Sequence, residues 1–164
     1  MSERVGLRPL AEEDVDHLVA IVSGPGVREW WPSADEPERV RRELRSEAGY
    51  STFAIEVDGR LAGWLGIEEE DDPYYRQAAL DIVLAPAYQG RGLGPEALRI
   101  VIRGLIERGH HRFTIDPVVE NERAIRAYES VGFRPVGVLR QSERRRDGSW
   151  RDSLLMEMLA GELE

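Results

Sequence analysis

Apolar and polar positions alternate over Val5 to Pro9 and again over Tyr50 to Val57, and the second run returns through Asp58-Gly59 into Arg60 to Ile67. Period two puts successive side chains on opposite faces of a strand, and Asp-Gly suits a two-residue hairpin, so two antiparallel strands are predicted there. Between these runs the period lengthens. Pro9-Leu10-Ala11-Glu12-Glu13-Asp14 reads as a turn into a helix with acids in its first turn, where the dipole favours them. Val15, Leu18, Val19 and Val22 then recur at helical spacing until Gly24-Pro25-Gly26 stops the run. Asp35 to Ala48 predicts a polar second helix with Val40 and Leu44 inward and its arginines outward, a solvated face or a lid. Leu80-Asp81-Ile82-Val83-Leu84 is an apolar strand. Ala97, Leu98, Val101, Ile102, Leu105 and Ile106 form the stripe of a helix within Pro95 to Gly109. Arg112 to Asp116 reads as a strand and Asn121 to Ser130 as a short helix. Phe133 to Leu139 and Asp152 to Leu159 are two final strands, joined by a mobile polar loop over Ser142 to Ser149.

The 164 residues suit one domain spanning 1–164. No apolar run reaches the roughly 18 to 20 residues that a membrane span needs, and Met1 to Pro9 lacks the apolar core of a leader, so a cytoplasmic protein is expected. There is no cysteine, which excludes disulfides, thiolate metal sites and a cysteine acyl-enzyme; an acyl transfer would be direct. With 22 basic against 31 acidic residues the net charge is -9, which argues against nucleic acid and anionic membrane as partners and allows a cationic one. His17, His110 and His111 share no metal-ligand spacing, so they are read as surface or capping residues and no metal site is expected.

Candidate chemistry begins where the strand ending at Leu84 meets Gln89-Gly90-Arg91-Gly92-Leu93-Gly94. A glycine-rich turn opening a helix presents unpaired N–H groups at the positive end of its dipole, a place to hold a diphosphate. The chain has no lysine, so this is not a P-loop, and G-x-G-x-G misses the dinucleotide fingerprint. The segment resembles the Q/R-x-x-G-x-G/A acyl-CoA signature of the GCN5-related N-acetyltransferases (GNAT). Asn121 to Phe133, which reads N-x-x-A-x-x-x-Y-x-x-x-G-F, is similar to the second signature of that family. The resemblance implies an α/β (α+β) GNAT fold: a mixed central sheet of about six to seven strands, splayed between its two central parallel strands and flanked by about four helices. It implies acetyl-CoA as donor, with coenzyme A as product. Main-chain contacts to the diphosphate would come from Gln89, Gly90, Arg91, Gly92, Leu93 and Gly94. Val83 and Leu84 would pair with the pantetheine arm, and Asn121 and Ala124 would complete the cofactor site. Tyr128 would be the acid that protonates the departing thiolate, because a tyrosine hydroxyl is a donor and a thiolate must gain a proton.

The acceptor side rests on acids and aromatics. Asp81 lies among apolar strand residues, where a carboxylate without a partner is expensive, and Asp116 ends the next strand before Pro117. Of the adjacent Trp30 and Trp31, which cannot both face one core from one helix face, at least one is expected to line a groove or a partner surface, the alternative being that both pack under a loop. Glu68-Glu69-Glu70-Asp71-Asp72-Pro73-Tyr74-Tyr75 reads either as a solvated turn or as a docking surface for a polycation, with Glu70, Asp72 and Tyr75 as contacts. Thr114-Ile115-Asp116-Pro117, Asp81 and Glu29-Trp30-Trp31 resemble the aminoglycoside 6'-N-acetyltransferases, enzymes of antibiotic resistance. That resemblance implies Asp116 as base and amine anchor and Asp81 as second anchor. The expectation is an acetyl-CoA-dependent N-acetyltransferase acting on a cationic small-molecule amine, preferably the 6'-amino group of an aminoglycoside. A protein N-terminus or a polyamine is the alternative, and a CoA-binding module without turnover is the rival of another class. The chain would act as a monomer or a homodimer.

Overall fold

The computed structural model describes residues 4–164; residues 1–3, on which the leader reading partly rests, lie outside them. Seven strands form one mixed sheet: β1 (Val5–Pro9), β2 (Tyr50–Val57), β3 (Arg60–Glu70), β4 (Gln77–Leu84), β5 (Arg112–Ile115), β6 (Arg134–Arg144) and β7 (Trp150–Leu159), in the order β1-β2-β3-β4-β5-β7-β6. Four α-helices accompany them: α1 (Val15–Ser23), α2 (Pro37–Glu43), α3 (Leu93–Glu107) and α4 (Glu122–Glu129). This is the mixed, helix-flanked sheet expected of the GNAT resemblance. The period-two runs became β1 and β2 with the predicted ends, and Asp58 (φ 50°) and Gly59 (φ 77°) make the β2–β3 turn.

Every neighbouring pair is antiparallel except β4–β5, and that pair is short. Parallel pairing joins Ala78 to Phe113 and Ala79 to Thr114 and then stops. From Leu80 onward β4 stays paired with β3, Asp81 opposite Gly66 and Val83 opposite Trp64, while β5 stays paired with β7. The carboxyl ends of the two strands therefore diverge, each held by its outer neighbour, and open the sheet at its centre.

Alternation along β4 separates two apolar clusters. Leu80, Ile82 and Leu84 face the cluster of α3, whose Ala97, Leu98, Ile102 and Leu105 stripe is buried as its spacing predicts. Val83 faces the other side, where Leu18 and Val22 of α1, Val40 of α2 and Trp64 of β3 pack together. Each fully buried Leu or Ile stabilises by roughly 1.5–3 kcal/mol, so the sheet is clamped from both faces while its central opening remains.

Four readings are corrected. The polar helix expected over Asp35 to Ala48 is confined to Pro37–Glu43, begun by a proline at its first position, which its fixed φ suits. Glu68, Glu69 and Glu70 are not turn residues but the end of β3. The acids of that run do not act as one either: Glu69 accepts hydrogen bonds from Arg108 and from His110 Nε2 (2.8 Å), so His110, 2% exposed, is a packed residue and not a surface cap. Finally, β6 runs to Arg144 and β7 begins at Trp150, which shortens the expected Ser142 to Ser149 loop to a tight tip.

Candidate active site

The opening between β4 and β5 is the floor of a cleft of about 900 Å³. One wall is the glycine loop and α3. Gly90 (φ 71°) and Gly92 (φ 77°) adopt the left-handed backbone that side chains disfavour, and Gly92 directly precedes the first turn of α3. A Cβ on Gly90 would collide with the Arg123 guanidinium, so the missing side chain lets that cation lie against the loop. Arg123 and Arg126 line the same cleft. First-turn N–H groups have no intrahelical acceptor, so the loop offers amide donors, a helix dipole and adjacent guanidinium charge to an anion. Gln89 anchors the loop: its Nε2 donates to the carbonyls of Leu84 (2.8 Å) and Gly26 (3.4 Å).

Val83, Leu84, Gly94, Asn121 and Ala124 also line the cleft. Asn121 caps α4, its Oδ1 accepting from Ala124 N–H at 3.3 Å, so a ligand contact from this side chain falls chiefly to its amide nitrogen. Arg91 and Leu93 do not line it. The Arg91 side chain donates to the Ala87 carbonyl (2.8 Å) and lies over the Tyr88 ring, and Leu93 is buried in the α3 cluster, which leaves only their main chain for the role expected of them.

The other wall carries the acids. Asp81, Asp116 and Tyr128 all reach the cleft from different elements. Tyr128 is fixed edge-on against Phe133, with 6.4 Å between ring centroids. Asp81 is open to the cleft, yet protein atoms crowd it from the sheet side. That loss of water raises its carboxyl pKa to about 6, helped by the negative charges of Asp116, Glu143, Glu43 and Glu68. Burial raises Asp116 too, against a lowering hydrogen bond from its own N–H. Burial, with Asp81 and Asp116 nearby, raises the Tyr128 hydroxyl, which therefore stays protonated at neutral pH. Among the described residues neither aspartate has an ion-pair partner. Two carboxylates without cations and a protonated phenol share one opening.

Both tryptophans line the cleft. Trp31 also packs edge-on against Trp64 (5.3 Å), and its Nε1 donates to Glu43 at 3.0 Å. Glu43 accepts further bonds from Ser33 Oγ (2.8 Å) and Arg39 Nε (3.1 Å), so one α2 carboxylate fixes the 28–33 segment. Across the cleft, buried Arg151 binds Glu143 of β6 and donates to the Glu29 carbonyl at 3.1 Å. The β6–β7 tip reaches both rims: Arg146 pairs with Asp35 (2.8 Å) and Arg145 with Glu120 (2.8 Å). The segment expected to be a mobile loop is pinned by ion pairs at two points. Glu43, Glu143, Arg151 and Arg123 went unread in the sequence, where single charged residues on polar strands and helices carry no periodic or motif signal.

Glu70, Asp72 and Tyr75 are not brought to the cleft. They sit at the amino end of β4, where Glu70 pairs with Gln77, at the far end of the strand from Leu84. Glu70 accepts from the Asp72 N–H (2.8 Å), Asp72 from the Tyr74 N–H (2.9 Å), and Tyr75 is 73% exposed. Nearby, ligand atoms of Glu69, Asp71 and His110 lie within 4.8 Å of one another. Arg108 already occupies Glu69 there, the position a metal ion would need.

A family model for the acetyltransferase (GNAT) domain matches residues 4–134. The chain belongs to the GNAT acetyltransferase family. Spermidine N(1)-acetyltransferase of Escherichia coli K12 is 28% identical over 160 residues, covering 93% of this chain and 84% of that protein. Aminoglycoside N(6')-acetyltransferase type 1 of Klebsiella pneumoniae is 28% identical over 158 residues, covering 84% and 78%. The solved structure of Mycobacterium smegmatis RimJ in complex with CoA-disulfide superposes with a TM-score of 0.82 at 27% identity, covering 97% of this chain and 83% of that one. As a GNAT acetyltransferase the chain is an N-acetyltransferase that uses acetyl-CoA. Its own residues fit that donor: the glycine cradle, the α3 amino terminus and Arg123 suit a diphosphate, and the unpaired edge of β4 beyond Ala79 suits an amide-bearing arm. No helix among the described residues is long and apolar enough to cross a membrane.

Proposed function

We propose that the acceptor is a polycationic small-molecule amine, an aminoglycoside attacked through its 6'-amino group being the best fit. The observation that carries this reading is the pair of carboxylates, Asp81 and Asp116, without cations at the sheet opening, flanked by Trp30 and Trp31 in a cleft wide enough for a ring system. An ammonium group supplies the missing counter-charge, and indole faces suit sugar rings and cations. Acetyl-CoA supplies an activated acetyl thioester. Asp116 takes the proton that the amine must lose, Asp81 holds a neighbouring ammonium, and the Tyr128 hydroxyl delivers a proton at the sulfur. A polyamine is the second reading, favoured by the nearly full-length similarity to a spermidine acetyltransferase.

Free-thiol release from acetyl-CoA with kanamycin, spermidine and an alanine-initiated peptide decides among them. Turnover highest with kanamycin is expected. Turnover confined to spermidine moves the assignment to a polyamine, and turnover confined to the peptide removes the polycation reading.

A further inference from the structure

One group beside the cleft has no part in the reading above, although it sits under one of its carboxylates. The pairing of β3 with β4 places Gly66 directly opposite Asp81, and paired residues project to the same sheet face. Gly66 has no side chain to cover that face. Its place is taken by Tyr50, which enters from the first position of β2: a Cβ on Gly66 would collide with the Tyr50 hydroxyl oxygen and lie 3.1 Å from its Cζ. Cβ atoms of directly opposed residues lie roughly 5 Å apart, so an oxygen beside the vacant Cβ position of Gly66 stands near the Asp81 side chain, close enough to feel its charge and, with no direct hydrogen bond between them, at the reach of one bridging water. Thr52, the β2 residue in the same row, cannot serve, because its Oγ1 donates to the Leu44 carbonyl at 2.7 Å. The Tyr50 hydroxyl makes no hydrogen bond of its own among the described residues, and it feels the charges of Asp81, Glu43 and Glu68.

We propose that Tyr50 is a positioning residue that donates its hydroxyl hydrogen through one water to the Asp81 carboxylate, and that Gly66 is the vacancy that lets it do so. The role rests on the reading of Asp81 as an amine anchor. A carboxylate free to rotate at the bottom of a wide cleft holds an ammonium poorly, and one oxygen tied to a phenol leaves the other aimed into the cleft. The charges that act most strongly on Asp81 are negative: Asp116 after β5, Glu143 on β6, Glu43 on α2 and Glu68 on β3; the arginines in the cleft, Arg39, Arg123 and Arg126, are carried by α2 and α4. Tyr128 on α4 is the other phenol that feels its charge. Burial together with Asp81, Glu43 and Glu68 keeps the Tyr50 hydroxyl protonated, so it remains a donor through the neutral range.

Carbon-13 NMR of the aspartate carboxyls in the full chain, without any substrate, reads this directly. A donor to the ionised form lowers a carboxyl pKa, so its removal raises it. In Tyr50→Phe the Asp81 midpoint is expected to move up by about half a pH unit or more while Asp116 moves less. Gly66→Ala should move it the same way, and the double variant should add nothing to Tyr50→Phe. An Asp81 midpoint unmoved by Tyr50→Phe, in a protein melting within a few degrees of the parent, overturns the proposal even if Gly66→Ala does not fold. Asp81→Asn separates this from the anchor reading: if it leaves the acceptor KM of the active substrate unchanged, the anchor is lost whatever Tyr50 does. If it raises that KM while the Tyr50→Phe midpoint stays put, only the positioning role is lost.

Discussion

On one side of the opening between β4 and β5 the groups facing the cleft are main-chain amides of a glycine loop and a helix terminus. On the other they are carboxylates and indoles that arrive from separate segments: Glu29 to Trp31 before α2, Asp81 from β4, Asp116 after β5 and Glu143 from β6. Main-chain recognition fixes a local sequence, since the backbone must turn in one way and approach a ligand closely. Side-chain recognition fixes only where a group ends up, and any strand or helix can carry it there. The donor side is thus set by a few contiguous residues, while the acceptor side is assembled from several separate segments.

Asp116 and Tyr128 stand where the sides meet, and their removal should have the largest effect. Tyr128→Phe is expected to lower kcat by about 100-fold with little change in either KM, because protonation of a leaving group contributes on the order of 100- to 10,000-fold. Asp116→Asn should lower kcat/KM for the amine by a similar factor, about 100-fold, while calorimetry finds coenzyme A binding unchanged. An Asp116→Asn enzyme turning over at the parental rate removes the base assignment. Gly90→Val breaks the donor side alone. A β-branched residue at φ 71°, pressed against Arg123, costs about 1–3 kcal/mol, which predicts coenzyme A affinity weaker by roughly 10- to 100-fold.

The same contrast explains what could be read without coordinates. The glycine loop, the 121–133 signature, the β2–β3 hairpin and the α3 stripe each write their structure into contiguous residues, and all were legible. Asp81 and Asp116 were legible for a second reason, since a carboxylate inside an apolar strand or at its end is conspicuous. Glu43 and Glu143 were not, because a glutamate on a polar helix or edge strand looks the same whether it faces solvent or a buried arginine. The run from Glu68 to Tyr75 misled for the opposite reason: contiguity suggested a single surface. The strand alternation sends Glu69 to His110 and Arg108 and Glu68 to the face of Asp81, while Glu70 ends β3 and Asp71 and Asp72 lie in the turn after it, at the end of β4 away from the cleft.

On the acceptor side, pH should act before mutation does. Asp81 must be ionised to hold an ammonium, and its carboxyl, raised to about 6, loses that charge as pH falls through this value. Loss of the Asp81 charge should therefore add a fall of up to about tenfold per pH unit below 6 to the amine kcat/KM, and Asp81→Asn should remove that part and leave only the fall that protonation of Asp116 and of the amine imposes. A limb unchanged in this variant belongs to another group. The pinned β6–β7 tip predicts a smaller effect. Arg145→Ala with Arg146→Ala removes the pairs to Glu120 and Asp35, each partly exposed and worth up to about 1 kcal/mol, so the acceptor KM should change by about fivefold or less. The KM for acetyl-CoA should stay fixed.

The smallest effect tests the comparison most sharply, because it concerns acids outside both sides. Glu70→Gln with Asp72→Asn removes two negative charges from a chain of net charge -9. Glu70 pairs with Gln77, and Gln77 precedes Asp81 by four residues, so roughly 13 Å of strand separates the tract from the anchor. That exceeds the screening length of about 8 Å at physiological ionic strength. At ~150 mM salt the acceptor KM should stay within about twofold of the parent. At ~10 mM salt, where screening reaches about 30 Å, the same variant should capture a polycation more slowly and kcat/KM should fall. A tenfold rise in KM at the higher salt would bring the tract into the acceptor site. The acceptor would then have to span the length of β4, and the division at the sheet opening would no longer describe how this enzyme holds its amine.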